Sequence, residues 1–225
     1  MPSPIGVIFD MDGVLVDSAA AHQQAWQQLG DEVGVPFSAA RFRQTFGQRN
    51  ASIIPAWLGA PVSGERLEAL GARKEVIYRA LVRRGAARVY PRIPALLGEL
   101  RAAGARVAIA SSGPRDNIAL LIDTIGAHDL VDAVVAAEDV REGKPHPEVF
   151  RTAAARLALA AGRCAVIEDS VHGVEAAARA GMLAIGVLTS TTAAALRAAG
   201  AVVVLREVAD VEVDQLVGAL RGRAA

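Results

Sequence analysis

An apolar run, Ile5 to Phe9, leads directly into Asp10-Met11-Asp12-Gly13-Val14-Leu15. In extended chain, residues i and i+2 face the same side, so the two aspartates are expected to stand together at a strand's carboxyl end. Open α/β sheets bind ligands at such ends. Gly13 permits a tight turn straight afterwards. The plainer alternative is a pair of loop carboxylates capping a helix. Other apolar runs end in polar clusters too. Arg106 to Ala110 ends in Ser111-Ser112-Gly113, a combination that suits an oxyanion or phosphate before a helix N-terminus. Taken alone, it reads first as a simple N-cap. Cys164 to Ile167 ends in Glu168-Asp169-Ser170. Adjacent acids at a buried strand's end are costly unless a cation or donors compensate them. A hard cation such as Mg2+ is the natural partner; the alternative is an Asp N-cap beside an exposed Glu. Lys144 lies in Glu142-Gly143-Lys144-Pro145-His146-Pro147, either as a solvated loop lysine or as an ammonium held against a phosphate. Carboxylates for a metal, a nucleophile, a hydroxyl and a lysine at strand ends of one sheet are jointly what phosphoryl transfer needs.

The elements that must position these residues are short and buried. Apolar runs rich in β-branched residues recur at Ile5–Phe9, Arg106–Ala110, Ala133–Ala136, Cys164–Ile167, Leu183–Leu188 and Ala201–Leu205. Helical patterns alternate with them at Ile93–Ala103, Arg115–Ile125, Pro147–Ala160, Val174–Ala180 and Thr192–Ala199. This alternation predicts a parallel sheet with helices on both faces. Between the first run and Arg106 there is no convincing strand, although a βαβ crossover needs only about a dozen residues. An inserted helical unit is therefore expected between Ser18 and Tyr90. His22, Trp26, Leu29 and Val33 share one helical face, as do Leu67, Leu70, Lys74, Ile77 and Leu81.

Composition bounds the function. The 225 residues carry 24 Lys+Arg and 24 Asp+Glu, and 52% are hydrophobic. That excludes a disordered chain and argues against a nucleic-acid binder, which would show a basic excess. The one cysteine, Cys164, makes no intramolecular disulfide and reads as a core residue at a strand start. Met1-Pro2-Ser3-Pro4 has no signal-peptide pattern, and no apolar run approaches the roughly 20 residues of a membrane span. A cytoplasmic protein with no membrane partner is expected. Lysine occurs only at Lys74 and Lys144, every other cation being Arg. Lys74 interrupts an apolar stripe, so it either snorkels outward or reaches a ligand.

The Asp10 to Leu15 segment, the Ser111 strand end, Lys144-Pro145 and Glu168-Asp169-Ser170 together resemble, in order, the four motifs of the haloacid dehalogenase-like superfamily. The helical insert, and Ser170 to Ala177 with Ala180-Gly181-Met182, resemble the β-phosphoglucomutase-like subgroup. The resemblance implies a Rossmann-like, doubly wound parallel sheet core over 1–17 and 91–225, with an inserted α-helical cap over 18–90 that sets substrate specificity. It implies Asp10 as a nucleophile forming an aspartyl phosphate, and Asp12 as general acid and base. Mg2+ would be held by Asp10, the Asp12 backbone carbonyl and Asp169, with Glu168 coordinating directly or through water. Ser111 and Lys144 would hold the phosphoryl oxygens, with Ser112 beside them. The superfamily's dehalogenases and phosphonatases lack the second acid, so Asp12 favours phosphate chemistry.

The same resemblance points to cap residues. His22 and Trp26 match a His-x-x-x-Trp pattern; Trp26 reads as core and His22 as a candidate site residue. It favours a substrate-reaching Lys74. It also places a substrate loop at Phe46-Gly47-Gln48-Arg49-Asn50-Ala51-Ser52, with Gly47, Arg49 and Asn50 as contacts. β-Phosphoglucomutases carry Lys-Gly where this chain has Phe46-Gly47, and their loop is slightly longer. The expected function is thus a Mg2+-dependent phosphatase acting on a small phosphate monoester, a sugar or polyol phosphate, with a β-phosphoglucomutase-type isomerase as the alternative. The expected assembly is a monomer or weak homodimer.

Overall fold

The first apolar run forms β1 (Ile5–Phe9), buried along its whole length. The structure is a computed structural model that describes residues 4–223. Met1, Pro2 and Ser3, part of the segment expected to carry no leader, lie outside the described residues. After Phe9 the chain turns sharply: Gly13, at φ 83°, donates its N–H to the Val16 carbonyl at 2.8 Å. Short strand β2 (Val16–Asp17) follows. The chain divides into two compact units, one running through Val16 and resuming at Val89, the other Asp17–Arg88.

The second unit is helical: α1 (Ala19–Val33), α2 (Ala39–Thr45), α3 (Asn50–Leu58) and α4 (Gly64–Arg83). Its boundaries are set by local chemistry. Gly34 ends α1 in the left-handed region at φ 75°. Ser38 and Ser63 cap α2 and α4, their hydroxyls accepting from the backbone N–H of Arg41 and Arg66. Of the predicted stripes, Trp26 and Leu29 of α1 and Lys74 and Ile77 of α4 are buried, whereas Leu67, Leu70 and Leu81 are half-buried and Tyr78 and Val82, outside the predicted stripe, are buried in their place. Trp26 stacks on Phe37 at 4.8 Å and meets Trp57 edge-on at 6.0 Å, so it is a core residue as expected.

The chain returns through β3 (Arg88–Val89), which pairs with β2 as a two-stranded ribbon. Then follow α5 (Ile93–Ala102), β4 (Ala105–Ala110), α6 (Arg115–Ile125), β5 (Ala133–Val135), α7 (Glu148–Arg156), β6 (Cys164–Glu168), α8 (Val171–Arg179), β7 (Leu183–Val187), α9 (Ala193–Ala198), β8 (Val203–Leu205) and α10 (Val213–Gly222). Six strands form one parallel sheet in the order β5-β4-β1-β6-β7-β8, flanked by helices. Its centre buries Ile8, Ala108 and Val166 together with Phe150 of α7 and Val174 of α8. A buried Phe contributes about 1.5–3 kcal/mol. Among the described residues, no helix is long and apolar enough to cross a membrane.

The elements depart from expectation at a few ends. α7 stops at Arg156, and Ala158 adopts φ 53°, where the sequence pattern runs on to Ala160. α8 starts at Val171 instead of Val174, because Ser170 caps it and Gly173 is helical. α10 was not expected; its Val213, Leu216, Val217 and Leu220 follow helical spacing.

Candidate active site

Sheet order places the polar strand ends side by side. β1 lies between β4 and β6, with Phe9 in register with Ile109 and Ile167. The Asp10 N–H donates to the Ile167 carbonyl at 3.0 Å, which extends the ladder by one residue. The Ser111 N–H donates to the Val135 carbonyl at 3.0 Å in the same way. Asp10, Ser111 and Glu168 therefore occupy one rim where the chain connectivity reverses direction, the place where open α/β sheets bind ligands.

Lys144 joins them from the loop before α7. Its Nζ lies 2.6 Å from Asp10 Oδ1 and 2.6 Å from Glu168 Oε1, and 5.0 Å from the Phe150 ring centroid. Its side chain is 5% exposed, so it is not the solvated loop lysine of the plainer reading. Burial alone pulls its pKa down, but the Asp10 and Glu168 carboxylates overcome this and hold the ammonium above its usual range. One ammonium does not neutralise the site. Burial pushes the Asp10 carboxyl up to about 7; Lys144 opposes this, while Glu168 and Asp12 reinforce it. Asp169 is also raised well above the usual carboxylate range, first by burial and then by Glu168 and Asp10. The site has room for further positive charge.

The two motif acids differ in their surroundings. Glu168 is 1% exposed, and both its oxygens are engaged: Oε1 with Lys144, Oε2 with the Ser170 N–H at 2.7 Å and the Ser170 hydroxyl at 2.9 Å. Asp169 is equally buried, but its Oδ2 has no hydrogen-bond partner among the described residues. The Ser190 hydroxyl donates to the Asp169 carbonyl at 2.7 Å and fixes the backbone there. A Cβ on Gly13 would stand 2.1 Å from Asp169 Oδ2, so that glycine makes the approach possible. Ser170, not Asp169, caps α8, and the Glu is buried, so the alternative of an Asp N-cap beside an exposed Glu does not hold.

Ser111 is not an N-cap either. Its hydroxyl accepts from the Gly113 N–H at 3.1 Å, while Pro114 occupies the cap of α6 and Glu138 accepts from the Arg115 N–H. Ser111 is buried and Ser112 half-buried beside it. Asp12 is half-buried, in the turn with Gly13.

The residues fit a hard cation: an orphaned, buried carboxylate oxygen on Asp169, the Asp10 carboxylate nearby, and excess negative charge. Among the described residues, no group of three or more His, Cys, Asp or Glu side chains forms a ready-made cage. Mg2+ does not require one, since it keeps several waters and takes one or two carboxylates plus substrate phosphate.

The helical unit gathers a second cluster. Lys74 is 2% exposed, so it does not snorkel. Its Nζ lies 2.8 Å from His22 Nδ1 and 3.0 Å from Glu75 Oε1, within 5.5 Å of the Trp26 and Tyr78 ring centroids. An ammonium only donates, so His22 Nδ1 accepts and the ring proton is assigned to Nε2. The His22 ring stacks on Tyr78 at 3.9 Å. Asn50 Nδ2 donates to Glu75 Oε1 at 2.8 Å. Of the expected substrate loop, only Phe46 to Arg49 is loop; Asn50, Ala51 and Ser52 already belong to α3. Gly47 sits at φ 83° in open space, and Arg49 occupies the N-cap position of α3. Glu75, Ser170 and Ser190 were not singled out from sequence. Ser170 and Gly173 carry a capping signal, whereas nothing in the sequence links Ser190 to Asp169.

Comparison with known proteins agrees with this geometry. A family model described as haloacid dehalogenase-like hydrolase matches residues 6–181. The validoxylamine A 7'-phosphate phosphatase of Streptomyces hygroscopicus subsp. limoneus is 34% identical over 204 residues, covering 91% of this chain and 94% of that protein. A β-phosphoglucomutase of Bacillus subtilis is 32% identical, covering 80% of this chain and 82% of its own. Among solved structures, a β-phosphoglucomutase from Clostridium difficile superposes with a TM-score of 0.87 at 23% identity, covering 99% of both chains.

Proposed function

The chain belongs to the haloacid dehalogenase-like hydrolases, in their β-phosphoglucomutase-like subgroup, and from that premise we propose that it is a Mg2+-dependent phosphatase for a small sugar or polyol phosphate. The observation that carries the reading is the group of buried carboxylates, Asp10, Glu168 and Asp169, sharing the single ammonium of Lys144. Such a site is built around a group that carries charge of both signs, as a metal-bound phosphate does. The phosphatase relative covers nearly the whole chain, which supports hydrolysis as the outcome.

In this reading Asp10 attacks phosphorus, and the bond from phosphorus to the ester oxygen breaks. Asp12 gives its proton to the departing oxygen, so the alcohol leaves neutral. Asp12, now ionised, takes a proton from water as that water attacks the aspartyl phosphate. Inorganic phosphate leaves and Asp10 is restored. Lys144 and the Ser111 and Ser112 hydroxyls hold the phosphoryl oxygens throughout. Asp10, the Asp12 backbone carbonyl and Asp169 would hold Mg2+, which supplies charge neutralisation of the phosphoryl group. Substrate selection is assigned to the helical unit, through His22, Gly47, Arg49, Asn50 and Lys74.

A paired assay tests the proposal. β-Glucose 1-phosphate is supplied with Mg2+ and a trace of glucose 1,6-bisphosphate, followed by a panel of sugar and polyol phosphates. Phosphate release that stops in EDTA and resumes with Mg2+ is expected. Glucose 6-phosphate formed without phosphate release makes the protein a mutase, and metal-independent turnover refutes the cation's role.

A further inference from the structure

The loop that carries Ser111 and Ser112 has no cap of its own. Pro114 occupies the N-cap position of α6 and offers the helix's first N–H groups no side-chain acceptor. A 3-10 turn in the neighbouring connection, Ala137–Asp139, holds this segment instead. The Ala137 N–H donates to the Gly113 carbonyl at 3.0 Å. Both oxygens of Glu138 accept from the Arg115 N–H at 3.2 Å. The Arg115 guanidinium donates to Asp139 Oδ2 at 2.5 Å. Successive residues of one turn therefore tether the segment 113–115. Ser111 is linked to the same segment, because its hydroxyl accepts from the Gly113 N–H at 3.1 Å.

Asp139 fixes the turn itself. Its Oδ2 also accepts from the Ala136 N–H at 2.8 Å, and its carboxylate takes both terminal nitrogens of Arg156, the last residue of α7, at 2.7 and 3.0 Å. Its side chain is only 13% exposed, so these bonds are shielded more than those of a surface ion pair. A hydroxyl that binds a transferring phosphoryl group must be placed closely, since a misplacement of about 1 Å can cost about 100-fold in rate. We propose that Asp139 is a positioning residue for phosphate binding: by fixing the turn that tethers 113–115, it sets where Ser111 and Ser112 meet the phosphoryl oxygens. This rests on the phosphatase reading, which assigns the two serines to the phosphate.

The test compares the full-length wild type with Asp139→Asn, Arg115→Ala, Arg115→Lys and the double variant Asp139→Asn/Arg115→Ala. Inorganic phosphate is titrated by calorimetry in the presence of Mg2+, and kcat and KM are measured on the best substrate, both well below each protein's melting temperature. For Asp139→Asn, kcat/KM should fall about 10- to 100-fold, and the Kd for phosphate should rise about fivefold, the equivalent of one neutral hydrogen bond. Arg115→Ala should lose less, Arg115→Lys should recover part of that loss, and the double variant should be no worse than Asp139→Asn alone, because both act through one tether. Asp132→Asn is the control. Asp132 likewise accepts from an arginine, Arg101, at 2.6 Å and from a backbone N–H, that of Val107, at 2.7 Å, but at the start of β4. It should melt earlier and keep wild-type phosphate binding and kcat/KM. An Asp139→Asn protein that melts earlier yet binds phosphate and turns over like wild type makes Asp139 purely structural and overturns the proposal. So does an Asp132→Asn protein with an equal loss of activity. If Asp139→Asn fails to fold, Arg115→Ala decides: unchanged phosphate binding and kcat/KM overturn the proposal. A wild type that hydrolyses no ester removes the phosphatase reading and the proposal with it, whereas failure of the tether alone leaves the wild type active and shows only in the variants.

Discussion

Replacing Gly173 with Ala sets two effects of opposite sign against each other. Gly173 lies in α8, where its φ is not positive, so Ala is favoured by helix propensity by up to about 1 kcal/mol. The added methyl, however, would stand 1.8 Å from Glu168 Oε1, 1.9 Å from Cδ and 2.5 Å from Oε2. Cβ atoms do not approach other atoms closer than 3.0 Å, so the carboxylate must retreat by about 1.2 Å, from 1.8 to 3.0 Å. Its bonds to Lys144 and Ser170, now 2.6 to 2.9 Å, do not survive such a shift. Each charged hydrogen bond is worth about 1.5–3 kcal/mol. Losing even two of these three outweighs the propensity gain and leaves a net destabilisation of about 2–5 kcal/mol. At about 2–4 °C per kcal/mol for a chain of this size, thermal unfolding should come earlier by about 4–20 °C. kcat should fall by about 10- to 100-fold. Thermal melts and steady-state kinetics on the same preparation read both quantities. A variant that melts higher than wild type with kcat intact would refute the view that Glu168 is held fast in this slot.

Other consequences can be checked separately. Asp10→Asn should lose activity by at least about 10³-fold while circular dichroism shows an intact fold; retained turnover refutes its role as nucleophile. Asp139 is held below the usual carboxylate range, chiefly by its bonds to Arg156, with the Ala136 N–H and Arg115 adding to the effect against burial. A depressed folded pKa stabilises above the unfolded value of about 4, and that stabilisation fades as pH falls towards the folded one. Asp139→Asn should therefore cost about 1–2 kcal/mol in urea unfolding at neutral pH, a figure kept low by its half-exposed arginine partners, and progressively less below about pH 4. An equal cost at both ends counts against the assignment. Lys74→Met removes a cation 3.0 Å from the buried Glu75 carboxylate and should destabilise by about 3–5 kcal/mol. Combining it with Glu75→Gln should recover more than half of that; an additive double variant shows that the two residues do not act as a pair.

Much of the sheet was legible because each strand is a short apolar run ending in a polar cluster. Ile5–Phe9 and Arg115–Ile125 have the bounds that the sequence predicts. Asp10, Ser111 and Glu168 could be read jointly with the loop residue Lys144 because polar residues directly follow buried apolar strands, although each alone has a bland alternative. What stayed hidden depends on long-range packing. Lys144 looks like a solvated loop residue until the fold places Asp10 and Glu168 on either side of it. The helical pattern read from sequence starts only at Val174, but α8 starts at Val171 because Ser170 caps it, and position 173 is glycine where the Glu168 carboxylate occupies the space a side chain would fill. Lys74 looks anomalous in an apolar stripe because its partner His22 lies on α1 and meets it only when α1 and α4 pack together.

The ribbon of β2 and β3 bears on how the chain folds. For β1 to join the sheet beside β4, Ile5 must find Ala105 across the whole inserted unit. Such distant pairings are slow, since loop-closure entropy is lost before any contact offsets it. The inserted helices depend on nearer neighbours in the chain, and their ends are joined when β2 meets β3. Once that ribbon closes, the insert becomes a sealed loop, and β1 sees β4 across only the short stretches either side of it. The helical unit can then act as a folding aid for the sheet. Its length and sequence can also diverge at little kinetic cost, provided its two ends still meet.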